Sequence, residues 1–340
     1  MTDRTGEREE TALASPPIDW IPILIPVAVA LIALPLVGSF STWATLTVAA
    51  LAMGMIIFIM ASGLTLVFGL MDVINFGHGV FISLGAYMSL LVLRPLMGWL
   101  ESPSLALNIG VLVLCILVAM AASGLFGLVF ERVIIRPVYR QHLKQILVTM
   151  GGLIIIEQLL HVFFGGSPIT IALPQNFRGG LAIGADVIVE RYRLIAVVVG
   201  ATVFLAMMLV LNRTRIGLLV RAGVENPEMV EALGYRIRRL FVGVFVAGSA
   251  LAGLGGVMWG FYQQTLTIGM GLQVLVLIFI VVIIGGLGSI GGCLIGSLLV
   301  ALVANYTAFL EPKIALISNI ALMLVVLMWR PQGLYPVVKV

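Results

Sequence analysis

The run LALNIGVLVLCILVAMAASGLFGLVF, residues 105–130, contains no charged residue. The hydrocarbon core of a bilayer is about 30 Å thick, and about 20 helical residues cross it. Only helices and closed barrels satisfy all their backbone hydrogen bonds in lipid, and this run lacks the alternation of polar and apolar residues typical of barrel strands. It is therefore predicted to be a transmembrane helix.

Apolar runs of this kind recur along the whole chain. Hydrophobic residues make up 61% of it and charged residues 10%, whereas soluble proteins are about 25% charged. Besides residues 105–130, the runs lie near Trp20–Val37, Trp43–Ser62, Val80–Leu93, Gln145–Phe164, Leu194–Leu211, Leu240–Tyr262, Leu272–Ile284, Cys293–Leu310 and Ile314–Trp329. We predict an all-α, polytopic helical membrane protein with about ten (eight to ten) transmembrane helices.

The first residues differ from the rest of the chain. Thr2–Glu10 is mixed and mostly acidic, so it lacks the basic start of a signal peptide. We expect residues 1–19 to form a disordered cytoplasmic tail and residues 20–340 to form one membrane domain. Cys115 and Cys293 lie in or beside apolar runs and are expected to be small buried hydrophobic residues.

Arginine and lysine predict the orientation. If the N-terminus is inside and the chain crosses ten times, 14 of the 19 basic residues fall on the inner side. This agrees with the positive-inside rule, and the opposite orientation would invert the bias. Both termini and the loop 212–239 are then cytoplasmic, whereas the segment 165–193 is external.

Two glycine-rich stretches interrupt apolar sequence, one in each half of the chain. The first is Gly69–Gly79 and the second Gly285–Gly292. Paired interruptions in two related halves mark the pathway of many transporters, because unwound backbone at membrane depth lines a cavity or is buried in protein. The candidate pathway residues are Asp72, Asn75, Gly77, His78, Gly79, Gly285, Gly286, Gly288 and Ser289. The alternative is that both stretches are ordinary turns and that the polar side chains are satisfied within the bundle.

Glu157 is a further candidate pathway residue, because it lies about halfway along an apolar run. Insertion of an ionised acid at the bilayer centre costs roughly 2.5–3.5 kcal/mol. A pathway group or proton relay is one interpretation. A hydrogen bond inside the bundle, for example to Gln158 or His161, is the other, and it is favoured.

The loop 212–239 contains a short helix with its own start and stop signals. Asn226 suits the N-cap, Pro227 the first turn, Glu228 the positive end of the helix dipole and Gly234 a left-handed C-terminal position. Its apolar face consists of Met229, Ala232 and Leu233. The chain has no Gly-Lys-Ser/Thr phosphate loop, so a separate ATPase is a natural receiver for this helix. Anchoring to anionic lipid is the alternative.

The external segment has two strand-like runs. Ile169–Leu173 and Ala185–Val189, with glycines between them, are expected to pair as a hairpin. The hairpin would dock an extracytoplasmic partner or cover the helices.

Several motifs together resemble one known family. They are Gly63–Gly69 (GLTLVFG), Ile74–Gly79 (INFGHG), Glu131–Pro137 (ERVIIRP), Arg221 with Asn226–Gly234, Gly285–Gly292, and Arg330–Gly333 (RPQG). From about Trp43 to Tyr335 the chain is similar to the permeases of branched-chain amino acid ABC importers, and the INFGHG form resembles the first of the two paired permease types. Gln273 stands where the family commonly has lysine, and Glu157 where an uncharged residue is usual.

The resemblance implies function and partners. It implies a permease that imports branched-chain or related small amino acids across the cell inner membrane, with urea, short amides or another small solute as alternatives. The implied partners are a second permease, two ATP-binding cassette subunits, an extracytoplasmic solute-binding protein and membrane lipid, without nucleic acid. By the same analogy, Asn226–Gly234 with Arg221 couples to the ATPase, and Asn75–Gly79 lies near the solute route. No cofactor, metal or catalytic residue is expected.

Two other function classes remain open from the residues alone. A self-sufficient ion-coupled transporter would use Asp72, Glu157 and His161 as proton or sodium groups, but it would not require the capped helix. An intramembrane enzyme would use His78, Asp72 or Glu157, yet the sequence has no nucleophile–base pair and no His-Glu-x-x-His spacing.

Overall fold

The structure is a computed structural model that describes residues 20–139, 141–183, 187–225 and 227–335. The helices are α1 Ile21–Val37, α2 Phe40–Met71, α3 His78–Leu93, α4 Met97–Leu100, α5 Leu105–Phe130, α6 His142–Phe164, α7 Arg191–Arg213, α8 Arg215–Glu225, α9 Pro227–Ala232, α10 Ile237–Gln263, α11 Met270–Gly285, α12 Ile290–Leu310 and α13 Pro312–Trp329. Short π and 3-10 turns at Glu131–Ile135 and Arg136–Val138 extend α5, and another 3-10 turn covers Gln175–Phe177. The strands are β1 Ile169–Thr170, β2 Gly180–Ile183, β3 Val187–Glu190 and β4 Thr265–Leu266.

The polytopic helical fold is confirmed. Within the described residues, six helices are long and apolar enough to cross a membrane, and four shorter apolar helices accompany them. Each of the ten predicted apolar runs falls in a different helix. The predicted tail, residues 1–19, lies outside the described residues.

The centre of the bundle is built by α2, α3 and α10, which lie close together because glycines occupy their crossings. A Cβ on Gly63 of α2 would overlap the carbonyl oxygen of Gly248 in α10. A Cβ on Gly85 of α3 would overlap the backbone of Gly253, also in α10. Small residues at such crossings are the usual means by which membrane helices approach each other.

The chain has two related halves around this centre. In the first, α2 is followed by the short helix α3 and then α5; in the second, α10 is followed by the short helix α11 and then α12. Helix α2 packs along α12 and α10 along α5. Both α3 and α11 have 16 residues, about 24 Å, and are therefore shorter than a bilayer core.

The bundle has a basic end, which we define as the end where α2, α5 and α11 finish. Ten of the described arginines and lysines lie there, and five lie at the far end. At the basic end, the segment after α13 folds back onto α11, and the amides of Leu334 and Tyr335 donate to the carbonyls of Ile284 and Gly285 at 2.8 and 3.1 Å.

The predicted external hairpin is wrong in its pairing. Strand β1 pairs instead with β4, in the connection between α10 and α11. The hairpin of this segment is formed by β2 and β3, with Gly180 opposite Glu190. The sequence pattern identified the extended segments but not the strands with which they pair. Ala185, at the start of the second predicted run, lies outside the described residues.

Candidate functional site

The connection between α2 and α3 starts at the surface of the basic end. Helix α2 ends at Asp72, which has a left-handed backbone with φ of 51° and an exposed side chain. A carboxylate oxygen of Asp72 lies 3.6 Å from Nε2 of His142, the first residue of α6. Asp72 therefore lies at the rim of the bundle and not in its interior.

From Asp72 the chain turns back into the bundle alongside α6. The amide of Ile74 donates to Oε1 of Gln145 at 3.3 Å, and the amide of Phe76 donates to Oγ1 of Thr149 at 3.1 Å. Two side chains of α6 thus replace the hydrogen bonds that a helix would supply to the unwound backbone. Such pairing is required where irregular backbone lies at membrane depth.

Helix α3 consequently begins well inside the bundle. Nε2 of His78 lies 2.9 Å from the carbonyl oxygen of Met60, which accepts its hydrogen bond. Met60 precedes the end of α2 by 11 residues, which places His78 about 16 Å from the basic end. The start of α3 therefore lies near mid-depth.

A row of buried polar side chains follows α3 from its start. Asn75, Ser83 and Tyr87 are fully buried, and their polar side-chain atoms make no hydrogen bond within the described part of the chain. Gly79, Ser83 and Tyr87 are spaced by four residues and therefore share one face of α3. Since buried polar groups in proteins are normally paired, this row is an exception that makes it a candidate site.

The start of α11 meets the start of α3. A Cβ on Gly79 would lie 2.7 Å from the carbonyl oxygen of Gly271, and a Cβ on Gly271 would overlap both Gly79 and Oγ of Ser83. Gly269, the N-cap of α11, has no side chain to cap the helix. The amides of Gly271 and Leu272 have no acceptor among the described residues.

Glu157 lies on the face of α6 that packs against this row. Leu153 of α6 is 3.3 Å from the position of a Cβ on Gly79, and the ring of Phe164 is 4.8 Å from that of Tyr87. Glu157 shares a helix face with Leu153 and Phe164 and lies between them, at the level of Ser83. One of its carboxylate oxygens is buried and has no hydrogen-bond partner in the described ranges.

The second glycine-rich stretch lies elsewhere. Ser289 caps α12 by accepting the amide of Gly292 at 3.0 Å, and it follows a connection in which Gly286 and Gly288 have positive φ. A Cβ on Gly69 would lie 2.5 Å from Cα of Gly288. Gly285, Gly286, Gly288 and Ser289 therefore lie at the basic end, a helix length from Gly271, beside the end of α2.

The structure thus brings together Asn75, Gly77, His78 and Gly79 in the interior, and it places Glu157 on α6 one turn beyond Leu153, the residue that contacts Gly79. Five further residues of this region were not predicted as site residues: Ser83, Tyr87, Gln145, Thr149 and Gly271. The spacing of four residues from Gly79 was a usable sequence signal for Ser83 and Tyr87. A second signal, for Gly271, was the Gly-x-Gly pattern that occurs at both Gly77–Gly79 and Gly269–Gly271.

The predicted capped helix is present as α9. The amides of Gly234 and Tyr235 donate to the carbonyls of Glu231 and Val230, which closes the helix around Gly234 with φ of 86°. Val230 is buried. Asn226 lies outside the described residues.

The opposite side of α9 carries apolar side chains on the surface. Met229 is 62% exposed and Leu233 71% exposed, and Glu228 is exposed beside them. Arg221 of α8 donates from Nη2 to the carbonyl of Leu211 at 3.2 Å and so ties the loop to the end of α7. The loop therefore presents an apolar surface from a fixed base.

Comparison with known proteins identifies the family. The family model described as the branched-chain amino acid transport system permease component matches residues 46–328. The chain belongs to this family. It is accordingly a transport permease and a multi-pass membrane protein.

Individual relatives agree with this assignment. The permease is 29% identical over 287 residues to the high-affinity branched-chain amino acid transport system permease protein LivH of Escherichia coli K12. It is 28% identical over 281 residues to LivH of Salmonella typhimurium and 28% identical over 286 residues to BraD of Pseudomonas aeruginosa. Each alignment covers 81% of this chain and 90% of the relative. No solved structure matches significantly.

Proposed function

We propose that this permease imports a branched-chain or related small amino acid, driven by separate ATP-binding cassette subunits. The single observation that carries this proposal is the family match over residues 46–328, together with relatives named for branched-chain amino acid transport. A second permease and an extracytoplasmic solute-binding protein complete the proposed assembly, with the basic end and both termini in the cytoplasm.

The proposed solute route follows the face of α3 that α6 and α11 approach. The observations that support it are the mid-depth start of α3 and the row of buried, unpaired polar groups. Leu272 and Gln273 of α11 are exposed beside this row. A polar helix start would be costly against lipid, so we propose that this face lines the route between this permease and its partner. Asp72 and residues 285–289 would lie at its cytoplasmic exit.

Helix α9 is the proposed coupling element. Two turns of helix are marginal in water, and a surface with Met229 and Leu233 exposed is suited to a groove on the ATPase. Nucleotide would then bias two states of the permease through contacts that differ between them. Arg221, Glu228 and Gly234 would hold the helix in position.

The test is uptake by the complete complex in proteoliposomes. Wild-type complex should take up L-leucine only with ATP and loaded binding protein. Leu233→Asp should abolish uptake and co-purification of the ATPase, since it places a charge in the proposed apolar contact. Tyr235→Asp, on an exposed neighbour outside the helix, is the matched control and should retain both.

Two results would contradict the proposal. Normal ATPase co-purification and uptake by Leu233→Asp would remove the coupling role of α9. Uptake by this chain alone, driven by a proton or sodium gradient, would replace the importer with an ion-coupled transporter.

A further inference from the structure

We infer that the first turn of α11, Ser83 and Glu157 form a mid-depth site that binds an α-amino acid as a zwitterion. The carboxylate of the solute accepts hydrogen bonds from the amides of Gly271 and Leu272 and from Ser83. The ammonium group of the solute binds the carboxylate of Glu157. This inference rests on the proposed import function and assigns the residues that recognise the solute within the membrane.

The start of α11 has the properties of an anion site. The first amides of a helix point outward, and the aligned peptide dipoles place about half a positive charge there. The N-cap is Gly269, without a side-chain cap, and the amides of Gly271 and Leu272 have no described acceptor. Leu272 is 42% exposed, so the turn opens onto the side of the bundle.

Ser83 supplies the independent evidence for a ligand at this turn. Its side chain is fully buried, its hydroxyl has no described partner, and it is directed at Gly271. A buried hydroxyl without a partner costs about 1–3 kcal/mol. Other buried serines of the bundle avoid this cost: Ser89, on the same helix, donates to the carbonyl of Ala86 at 2.6 Å. Ser83, the exception, lies at the start of α11, which has no side-chain cap.

Glu157 supplies the charge of opposite sign. It lies on α6 at the level of Ser83, because Leu153 and Phe164 on the same face contact Gly79 and Tyr87. It forms no ion pair with any described lysine, arginine or histidine within 4.0 Å. A carboxylate without an ion-pair partner among the described residues, on the α6 face beside Ser83, and a positive helix start at Ser83 together match a solute that carries both charges.

This arrangement favours amino acids over urea and short amides, the alternative substrate classes. Urea and short amides carry no charge, so they gain little from either the helix start or the carboxylate. An α-amino acid uses both. In this structure Gly79 and Gly271 are in contact, so the solute reaches the amides only when α3 and α11 separate.

The experiment measures L-leucine uptake and ATP hydrolysis by the complete complex in proteoliposomes at saturating loaded binding protein. Selection by the binding protein is then constant. Ser83→Ala and Glu157→Gln should each lower the uptake per ATP hydrolysed by at least tenfold, and Glu157→Asp should retain more uptake than Glu157→Gln. The matched controls Ser89→Ala and Gln158→Ala should stay within twofold of wild type.

The ratio of uptake to hydrolysis separates solute binding from a structural defect, which would lower both rates together. If Ser83→Ala and Glu157→Gln both keep the wild-type ratio of uptake to ATP hydrolysis, the proposed solute site is refuted, whereas the proposed import function is not. If the Glu157→Gln complex does not assemble, the result for Ser83→Ala alone decides whether the site exists. Absence of ATP-dependent uptake by the wild-type complex would instead refute the proposed function.

Discussion

The starts of α3 and α11 share a backbone design but differ in how they are held. Each begins with Gly-x-Gly, at Gly77–Gly79 and Gly269–Gly271, and the two meet near mid-depth. The segment before α3 is hydrogen-bonded to Gln145 and Thr149 of α6, and the His78 side chain is hydrogen-bonded to the carbonyl of Met60. In the described part of the chain, no side chain supports the first turn of α11 in this way, and this turn is partly exposed.

We interpret this difference as that between an element that is held in place and one that can move and bind. A backbone whose amides are satisfied by buried side chains resists displacement, because each broken bond leaves an unsatisfied donor. A helix start with unpaired amides gains stability only from a ligand or a partner. We therefore expect α3 to stay in place during transport and the start of α11 to move.

Widening the contact between the starts of α3 and α11 should impair transport most strongly. Gly79→Ala and Gly271→Ala each place a methyl group into the opposing backbone, which forces α3 and α11 apart. L-leucine uptake by the complete complex should fall by about 100-fold or more, with assembly retained. Gly151→Ala is the matched control on α6, since a Cβ there meets no atom within 4 Å. Full uptake by Gly271→Ala would mean that the contact does not take part in transport.

A smaller effect is expected on stability, and it should differ between the two starts. Thr149→Val removes the acceptor of the Phe76 amide and should lower the free energy of unfolding by about 1–3 kcal/mol. Gln273→Leu, on the exposed surface of α11, should change it by less than about 0.5 kcal/mol. Thermal unfolding of the purified permease in detergent measures both. Equal losses would show that the two starts are held alike.

Much of the fold was predictable because lipid imposes a simple rule on composition. Apolar runs with few or no charged residues predicted the helices, and Gly234 predicted the end of α9 because left-handed backbone favours glycine. The first half of the candidate site was also predictable, since Asn75 and His78 are conspicuous polar residues within apolar sequence.

The remainder depends on contacts between distant segments. In sequence, the apolar run beginning at Leu272 resembles a short crossing, and only the contact of the preceding Gly271 with Gly79 places the start of α11 at depth. In the sequence only its spacing of four residues from Gly79 distinguishes Ser83, and the lack of a described partner for its hydroxyl follows from which helices surround it. Likewise, β1 pairs with β4 across almost a hundred residues, which local pattern does not encode.

The most direct test of a solute route along α3 is the accessibility of Ser83. Ser83→Cys is introduced into the complete complex, and labelling by a methanethiosulfonate reagent is measured during ATP turnover. We predict labelling that requires ATP and slows when L-leucine saturates the binding protein, whereas Ser123→Cys, between α3 and α5, should stay unlabelled. Ser83→Cys that remains as unreactive during turnover as the buried native cysteines would contradict it.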